Sequence, residues 1–219
     1  MGERTFDFYR PPAADLLYRL EHLPQGVFEN PAILHLCSNS LTDPEIADVT
    51  LAMATMAKRA GCLVSVDANL RHNLWPGGEA DASLVTQLLD GAELLKLSQE
   101  ELDYLRGNHP AESWLSERLA AGVKVILITD GPNDVVLKGI GIDQRIAPPK
   151  VEAVDTTAGA MPLLAGCWRS SRPTASVKTG RAMSIFYIVQ WLPPAAAAPM
   201  LLLDQALTPH CQRARILAK

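Results

Sequence analysis

A chain of 219 residues is long enough to bury a core and reads as one domain with room for a small appendage. A hydrophobic share of 48 % against a charged share of 20 % excludes wholesale disorder. Lys and Arg number 20 against 24 Asp and Glu, a net charge of -4 with no basic stripe, which excludes a nucleic-acid binder and points to a small-molecule partner.

In chain order, T-F-D-F-Y (residues 5–9) alternates polar and aromatic side chains and is stopped by Pro11 and Pro12, the pattern of an edge or lid strand. I-L-H-L-C-S-N-S from Ile33 predicts a short buried strand running into a loop. Thr42-Asp43-Pro44-Glu45 then predicts a capping box with proline at the first helical position. In the helix that follows, Ile46, Val49, Met53 and Met56 recur at helical spacing, and Gly61 stands where a left-handed cap belongs. Residues 63–66 predict a second strand, 80–89 a helix, 94–97 a strand, and Ser98 with Glu101 a further capping box. A helix over about 113–121 precedes V-K-V-I-L-I-T, whose near-continuous apolarity suits a parallel strand covered on both faces. Short extended pieces at 135–138 and 151–154 follow, separated by Gly139 and Gly141. This succession predicts an α/β sheet with ligands at the carboxyl ends of its strands.

Four widely spaced cysteines (Cys37, Cys62, Cys167, Cys211) and five scattered histidines predict no zinc site. No secretory leader pattern opens the chain, so a cytoplasmic protein with reduced thiols is expected. The apolar stretch over 185–207 is broken by Pro193, Pro194, Pro199 and Asp204, so no membrane span is expected.

Three polar clusters fall just past predicted strand ends: Asp67/Asn69/Arg71, Lys96/Ser98/Glu101 and Thr129/Asp130/Gly131. Each has a plain structural explanation. Ser98 and Glu101 make a helix cap, Asp67 and Arg71 a local ion pair of little worth, and Thr129-Asp130-Gly131 a turn. Their common position at one rim favours a binding site.

These clusters also carry a resemblance. G-E-R-T-F-D-F-Y-R-P-P-A-A-D (residues 2–15), S-V-D-A-N-L-R (65–71) with Leu74-Trp75-Pro76, K-L-S-Q-E-E-L (96–102), T-D-G (129–131) and V-D-T-T (154–157) follow in the order seen in ribokinase-like (PfkB) carbohydrate kinases of the fructokinase branch. The resemblance covers residues 2–159, about the middle half of a typical member. It implies a partial ribokinase-like three-layer α/β fold with a mainly parallel central sheet and a lid strand at about 3–10, through which a homodimer could form. It implies ATP and Mg2+ as cofactor pair and a sugar as acceptor. Phe8, Tyr9 and Arg10 would belong to the lid beside the sugar, and Asn69 and Arg71 would face sugar and phosphates. Lys96, Ser98, Thr129 and Gly131 would stand on the nucleotide side, although Ser98 occupies a position where many relatives have asparagine. Glu101 would organise water around magnesium. The second glycine that relatives carry after T-D-G is not evident here, because Asn133-Asp134 follow.

The family pattern breaks where its chemistry concentrates. In the motif D-T-x-G-A-G-D the glycines open a helix as an anion hole and the last aspartate is the base that accepts the hydroxyl proton. Here the text runs Asp155-Thr156-Thr157-Ala158-Gly159-Ala160-Met161-Pro162, with Asp155, Thr156 and Gly159 as a remnant and no second aspartate. The continuation M-P-L-L-A-G-C-W-R is also foreign to the family. Relatives continue D-A-F-V-G-G-L-L-A, which GAT-GCC-TTT-GTT-GGC-GGG-CTG-CTG-GCG can encode; read one base later, that text gives M-P-L-L-A-G-C-W-R. Near the end, residues 204–212 moved back one frame permit P-G-A-Y-P-A-L-P, similar to the family's C-terminal G-A-x-x-A-L-P. Residues 160–219 are therefore expected to be an out-of-frame translation after a partial kinase domain at 1–159. Relatives also carry a segment before G-E-R-T-F, with the first sheet strands and a sugar-binding aspartate, so half the sugar pocket is expected to be missing.

The resemblance implies an ATP-dependent sugar kinase by ancestry, with fructose the favoured acceptor, and the broken motif leads to the expectation that this chain is inactive. The same blocks leave aminoimidazole riboside and 2-keto-3-deoxygluconate open as acceptors. A non-catalytic nucleotide-binding fragment is the alternative of another class. A nicotinamide-dependent oxidoreductase is disfavoured, because no G-x-G-x-x-G follows any predicted strand.

Overall fold

The computed structural model describes residues 14–29 and 33–147. A short helix α1 (Ala14–Leu17) precedes strand β1 (Ile33–Cys37), helix α2 (Pro44–Arg59), β2 (Leu63–Asp67), α3 (Ala82–Asp90), β3 (Leu94–Ser98), α4 (Gln99–Arg106), α5 (Ala111–Ala121), β4 (Val125–Thr129), β5 (Val135–Gly139) and β6 (Ile142–Ile146). The six strands form one sheet in the order of the sequence. β1 to β4 are parallel, β5 is antiparallel to β4, and β6 is antiparallel to β5. The expected mainly parallel α/β sheet is thus present.

Consecutive parallel strands joined by right-handed crossovers must carry their helices on one face. Ile46 and Met53 of α2, Val85 and Leu88 of α3, Leu102 of α4 and Trp114 of α5 accordingly join one core with Leu34, Leu36, Val64, Val66, Leu95, Leu97, Ile126 and Ile128. The alternate strand residues Leu94, Val125, Leu127 and Leu137 form a second cluster on the opposite face, and no described helix contributes a buried residue to it. Strands apolar on both sides explain the near-continuous runs L-L-K-L-S and V-I-L-I-T. The segment expected to form the lid (about 3–10) and the remnant motif lie outside the described residues, and among the described residues no helix adds a buried residue on the second face to make the expected third layer. Among the described residues no helix is long and apolar enough to cross a membrane.

Local signals mostly hold, with informative departures. The N-cap of α2 is Asp43, whose carboxylate accepts from the Glu45 N–H, while the Thr42 hydroxyl turns back to donate to Asn39 O. Proline occupies the first turn, and Gly61 takes φ +78 as a left-handed cap should. Met56, expected on the buried stripe, is 43 % exposed: it falls at the margin of the face that Ile46, Val49 and Met53 bury. Strand β6, I-D-Q-R-I, was not expected from its polar centre; the hairpin turn through Gly141 at φ +76 pairs it with β5. The predicted piece at 151–154 lies outside the described residues.

Candidate functional site

Because β1 to β4 run parallel, their carboxyl ends meet at one rim, and register sets the neighbours. Cys37 stands beside Asp67, Asp67 beside Lys96, and Ser98 beside Thr129. Asp67, Lys96 and Ser98 all fall on the face opposite the helices, since they alternate with Val66, Leu95 and Leu97.

The centre of the rim is a buried charged cluster. Lys96 Nζ donates to Asp67 Oδ1 at 2.9 Å and lies 3.9 Å from Glu101 Oε2, with all three side chains at most 10 % exposed. Asp67 therefore pairs across the sheet with Lys96. The local pair with Arg71 expected from sequence is only a weak electrostatic influence on Asp67, and the Arg71 guanidinium donates instead to Leu70 O at 3.3 Å. Burial pushes the Asp67 carboxyl above its ordinary range, and Lys96, the Asn69 N–H and Arg71 oppose that rise. A buried pair of this kind is costly to break from one side, at about 3–5 kcal/mol, because the partner charge is left uncompensated.

Glu101 completes the predicted capping box. The Ser98 Oγ accepts from Glu101 N at 3.1 Å, and Glu101 Oε2 accepts from Ser98 N at 2.7 Å. Its other oxygen, Oε1, accepts from Leu70 N at 2.9 Å. The loop after β2 is held at two more points: Ala68 N donates to Lys96 O at 3.0 Å, and the Ser38 hydroxyl donates to Ala68 O. Between these anchors Asn69 takes φ +38, the only described residue other than glycine with positive φ. Asn69 is half-buried and Arg71 is exposed, so both can face a ligand above the rim.

At the β4 end the Thr129 hydroxyl donates to Leu97 O at 3.4 Å, and Asn133 closes the next turn by donating to Asp130 through both its N–H and its side-chain amide, each at 2.8 Å. Gly131 in that turn has φ +49 and nothing within 4 Å of where a Cβ would stand, leaving the backbone open to close approach. Beside the charged cluster, His35 Nδ1 lies 3.2 Å from Ser65 Oγ, and Cys37 Sγ lies 3.8 Å from His35 Nε2. Burial holds the His35 imidazolium down to about 4, with Lys96 adding to the effect, and burial and then Asp67 push the Cys37 thiol up to about 12. Both groups are thereby kept neutral at pH 7.

The structure brings Asn69, Arg71, Lys96, Ser98, Glu101, Thr129 and Gly131 to one rim. Phe8, Tyr9, Arg10, Asp155, Thr156 and Gly159 lie outside the described residues. The ammonium of Lys96 is buried beneath the rim and engaged by carboxylates, which places it behind the site and not on its surface. The roles of Asp67 as its partner and of Ser38 as a loop anchor were missed; the one signal was a lone lysine inside the apolar run L-L-K-L-S. Among the described residues no group of three or more His, Cys, Asp or Glu converges to hold a metal ion. Asp67 and Glu101 both face the Lys96 ammonium.

A model of the pfkB family carbohydrate kinases matches residues 1–159. The chain belongs to this family. Among pfkB-family relatives, fructokinase-1 of Oryza sativa subsp. japonica is 36 % identical over 159 residues, covering 71 % of this chain and 49 % of the relative. The crystal structure of fructokinase with bound ATP from Xylella fastidiosa is 38 % identical with a TM-score of 0.71, covering 75 % of this chain and 52 % of that one. Aminoimidazole riboside kinase from Salmonella enterica, solved with aminoimidazole riboside and an ATP analogue, is 25 % identical with a TM-score of 0.62, covering 71 % and 52 %. The chain spans about half the length of the pfkB-family proteins it matches.

Proposed function

We propose that this chain derives from an ATP-dependent kinase that phosphorylates a sugar hydroxyl, with fructose the favoured acceptor, and that in its present form it does not complete the reaction. The observation that carries the reading is the side-by-side, parallel placement of β2, β3 and β4, which collects Asn69 and Arg71, Ser98 and Glu101, and Thr129 and Gly131 on one rim. Phosphoryl transfer needs an oriented hydroxyl, a base to take its proton, and donors around the moving phosphoryl group. Asn69 and Arg71 would orient the acceptor and meet phosphate oxygens. The backbone around Thr129 and Gly131 would receive the nucleotide, with Ser98 at its flank. Lys96, buried under the rim, would fix Asp67 and the loop above it and leave direct phosphate contact to Arg71. Magnesium would arrive with the nucleotide, with Glu101 reaching it through water, and would neutralise charge on the transferring group.

The proton acceptor is the absent part. The family match ends at Gly159; against D-T-x-G-A-G-D the sequence keeps Asp155 and Thr156, has Ala158, Gly159 and Ala160 where the motif has Gly, Ala and Gly, and has Met161 where it has the second aspartate. A reading-frame change at that point accounts for both Met161-Pro162 and the G-A-Y-P-A-L-P text hidden in residues 204–212. A positioned base and an anion hole each contribute factors of about 10² to 10⁴, so losing both leaves no measurable turnover.

Two measurements test this. The nucleotide sequence across codons 155–165 is expected to contain the D-A-F-V-G-G text one base away; intact codons with no such text would remove the frame change. A coupled assay of the frame-restored, full-length protein against a sugar panel is expected to favour fructose, and preference for aminoimidazole riboside or 2-keto-3-deoxygluconate would reassign the acceptor. The 25 % identity to aminoimidazole riboside kinase keeps that second acceptor in the panel. A thermal shift of the present chain with millimolar ATP and magnesium, without turnover, would favour the non-catalytic nucleotide-binding reading.

A further inference from the structure

We propose that Glu101 is a positioning residue that staples the loop at 68–71 onto the amino end of α4, so that Asn69, Arg71 and Ser98 are held as one rigid unit. A capping box needs only one acceptor at this position and is served equally well by glutamate or glutamine. Glu101 does more. Its Oε2 serves the cap by accepting from Ser98 N at 2.7 Å, while Oε1 accepts from Leu70 N, 31 positions earlier in the chain, at 2.9 Å. Two N–H groups arriving at opposite oxygens require a carboxylate, because an amide would turn its own NH2 toward one of them. The Lys96 ammonium, 3.9 Å from Oε2 and bonded to Asp67, keeps counter-charge beside this buried carboxylate.

The loop has need of such a staple. Asn69 stands at φ +38, a conformation that a side-chain-bearing residue keeps only where its surroundings over-determine it. Ser38 and the Lys96 carbonyl fix Ala68 on one side of Asn69, and Glu101 fixes Leu70 on the other. Removing the Leu70 anchor takes away the tether next to Asn69 on that side and leaves the backbone held only further on, where Leu74 N donates to Arg71 O at 2.8 Å. That these two residues meet an acceptor rests on the sugar-kinase reading; the staple itself does not.

The substitution Glu101→Gln separates the staple from the cap. Amide hydrogen exchange of the full 219-residue chain at low micromolar concentration is expected to show the Leu70 amide exchanging about tenfold faster or more in Glu101→Gln, with the α4 amides nearly unchanged. Ser98→Ala is expected to do the reverse, fraying α4 while Leu70 stays protected. Leu70 exchange within about twofold of the parent in Glu101→Gln, or a rise at Leu70 that is equal in both variants, would overturn the staple. In the frame-restored protein, Glu101→Gln is expected to raise the KM for sugar about tenfold, and an unchanged KM for sugar would overturn the positioning role. A frame-restored parent inactive on every sugar would refute the kinase reading, and the exchange result would still decide the staple.

Discussion

At the scale of single residues, the rim is built from charges and polar groups kept under the surface. His35 is the one with the clearest consequence for pH. Burial lowers its folded-state value to about 4 from the ordinary 6.5, so the folded chain resists the proton that the unfolded chain accepts. The stability this represents is fully present above pH 6.5 and is lost as pH falls toward 4. Asp67 has the opposite sign: its raised carboxyl contributes below the ordinary carboxylate range and loses that contribution as pH rises through its folded value. Denaturant midpoints at pH 7 and pH 5 are expected to show a loss of about 2 kcal/mol attributable to His35. His35→Gln should flatten that difference, and an unchanged pH dependence in the variant would assign the effect elsewhere. From sequence alone His35 was only a polar interruption in an apolar strand, because burial and the nearness of Lys96 depend on strand register. Lys96 itself was visible as a site residue, but its partner was not. Asp67 and Lys96 are 29 positions apart, and only parallel pairing of β2 and β3 brings them to 2.9 Å.

At the scale of elements, caps and strand ends were the most legible features. Proline and an acidic residue at the start of α2, the Ser98 and Glu101 box, and the glycine after α2 mark their termini by local chemistry, which the sequence carries in full. The β5 to β6 hairpin was half legible. Its apolar first strand was read, while Asp143, Gln144 and Arg145 in the second disguised an exposed edge that borrows its conformation from its partner. Gly139, read as a separator, ends β5 inside the ladder, and a Cβ there would stand 2.8 Å from the Lys124 carbonyl oxygen. Gly139→Ala is therefore expected to cost about 1–3 kcal/mol by overpacking, read as a lowered thermal midpoint. A neutral result would mean that β5 shifts away from β4 without loss.

At the scale of the whole molecule, the expected α/β sheet and the gathering of motifs at strand ends were both read correctly, because hydrophobic runs and capping signals specify βα units and connectivity then fixes the rim. Which face each helix covers was not read, since that follows from strand order. Residues 160–219 contain Trp168, Ile185, Phe186, Tyr187, Ile188 and Trp191, which under the proposed frame change would have no history of selection for packing. Light scattering of the purified chain is expected to show association that grows with concentration. A well-dispersed monomer at tens of micromolar would count against the frame proposal.

The order of the strands bears on how such a chain is made. Each of β2, β3 and β4 pairs with the strand synthesised just before it, and α2 and α4 pack against the strands on either side of them in the chain. A chain leaving the ribosome can thus lay down this sheet one unit at a time, with no strand held waiting for a distant mate. The rim could take shape while the remainder of the polypeptide is still being translated.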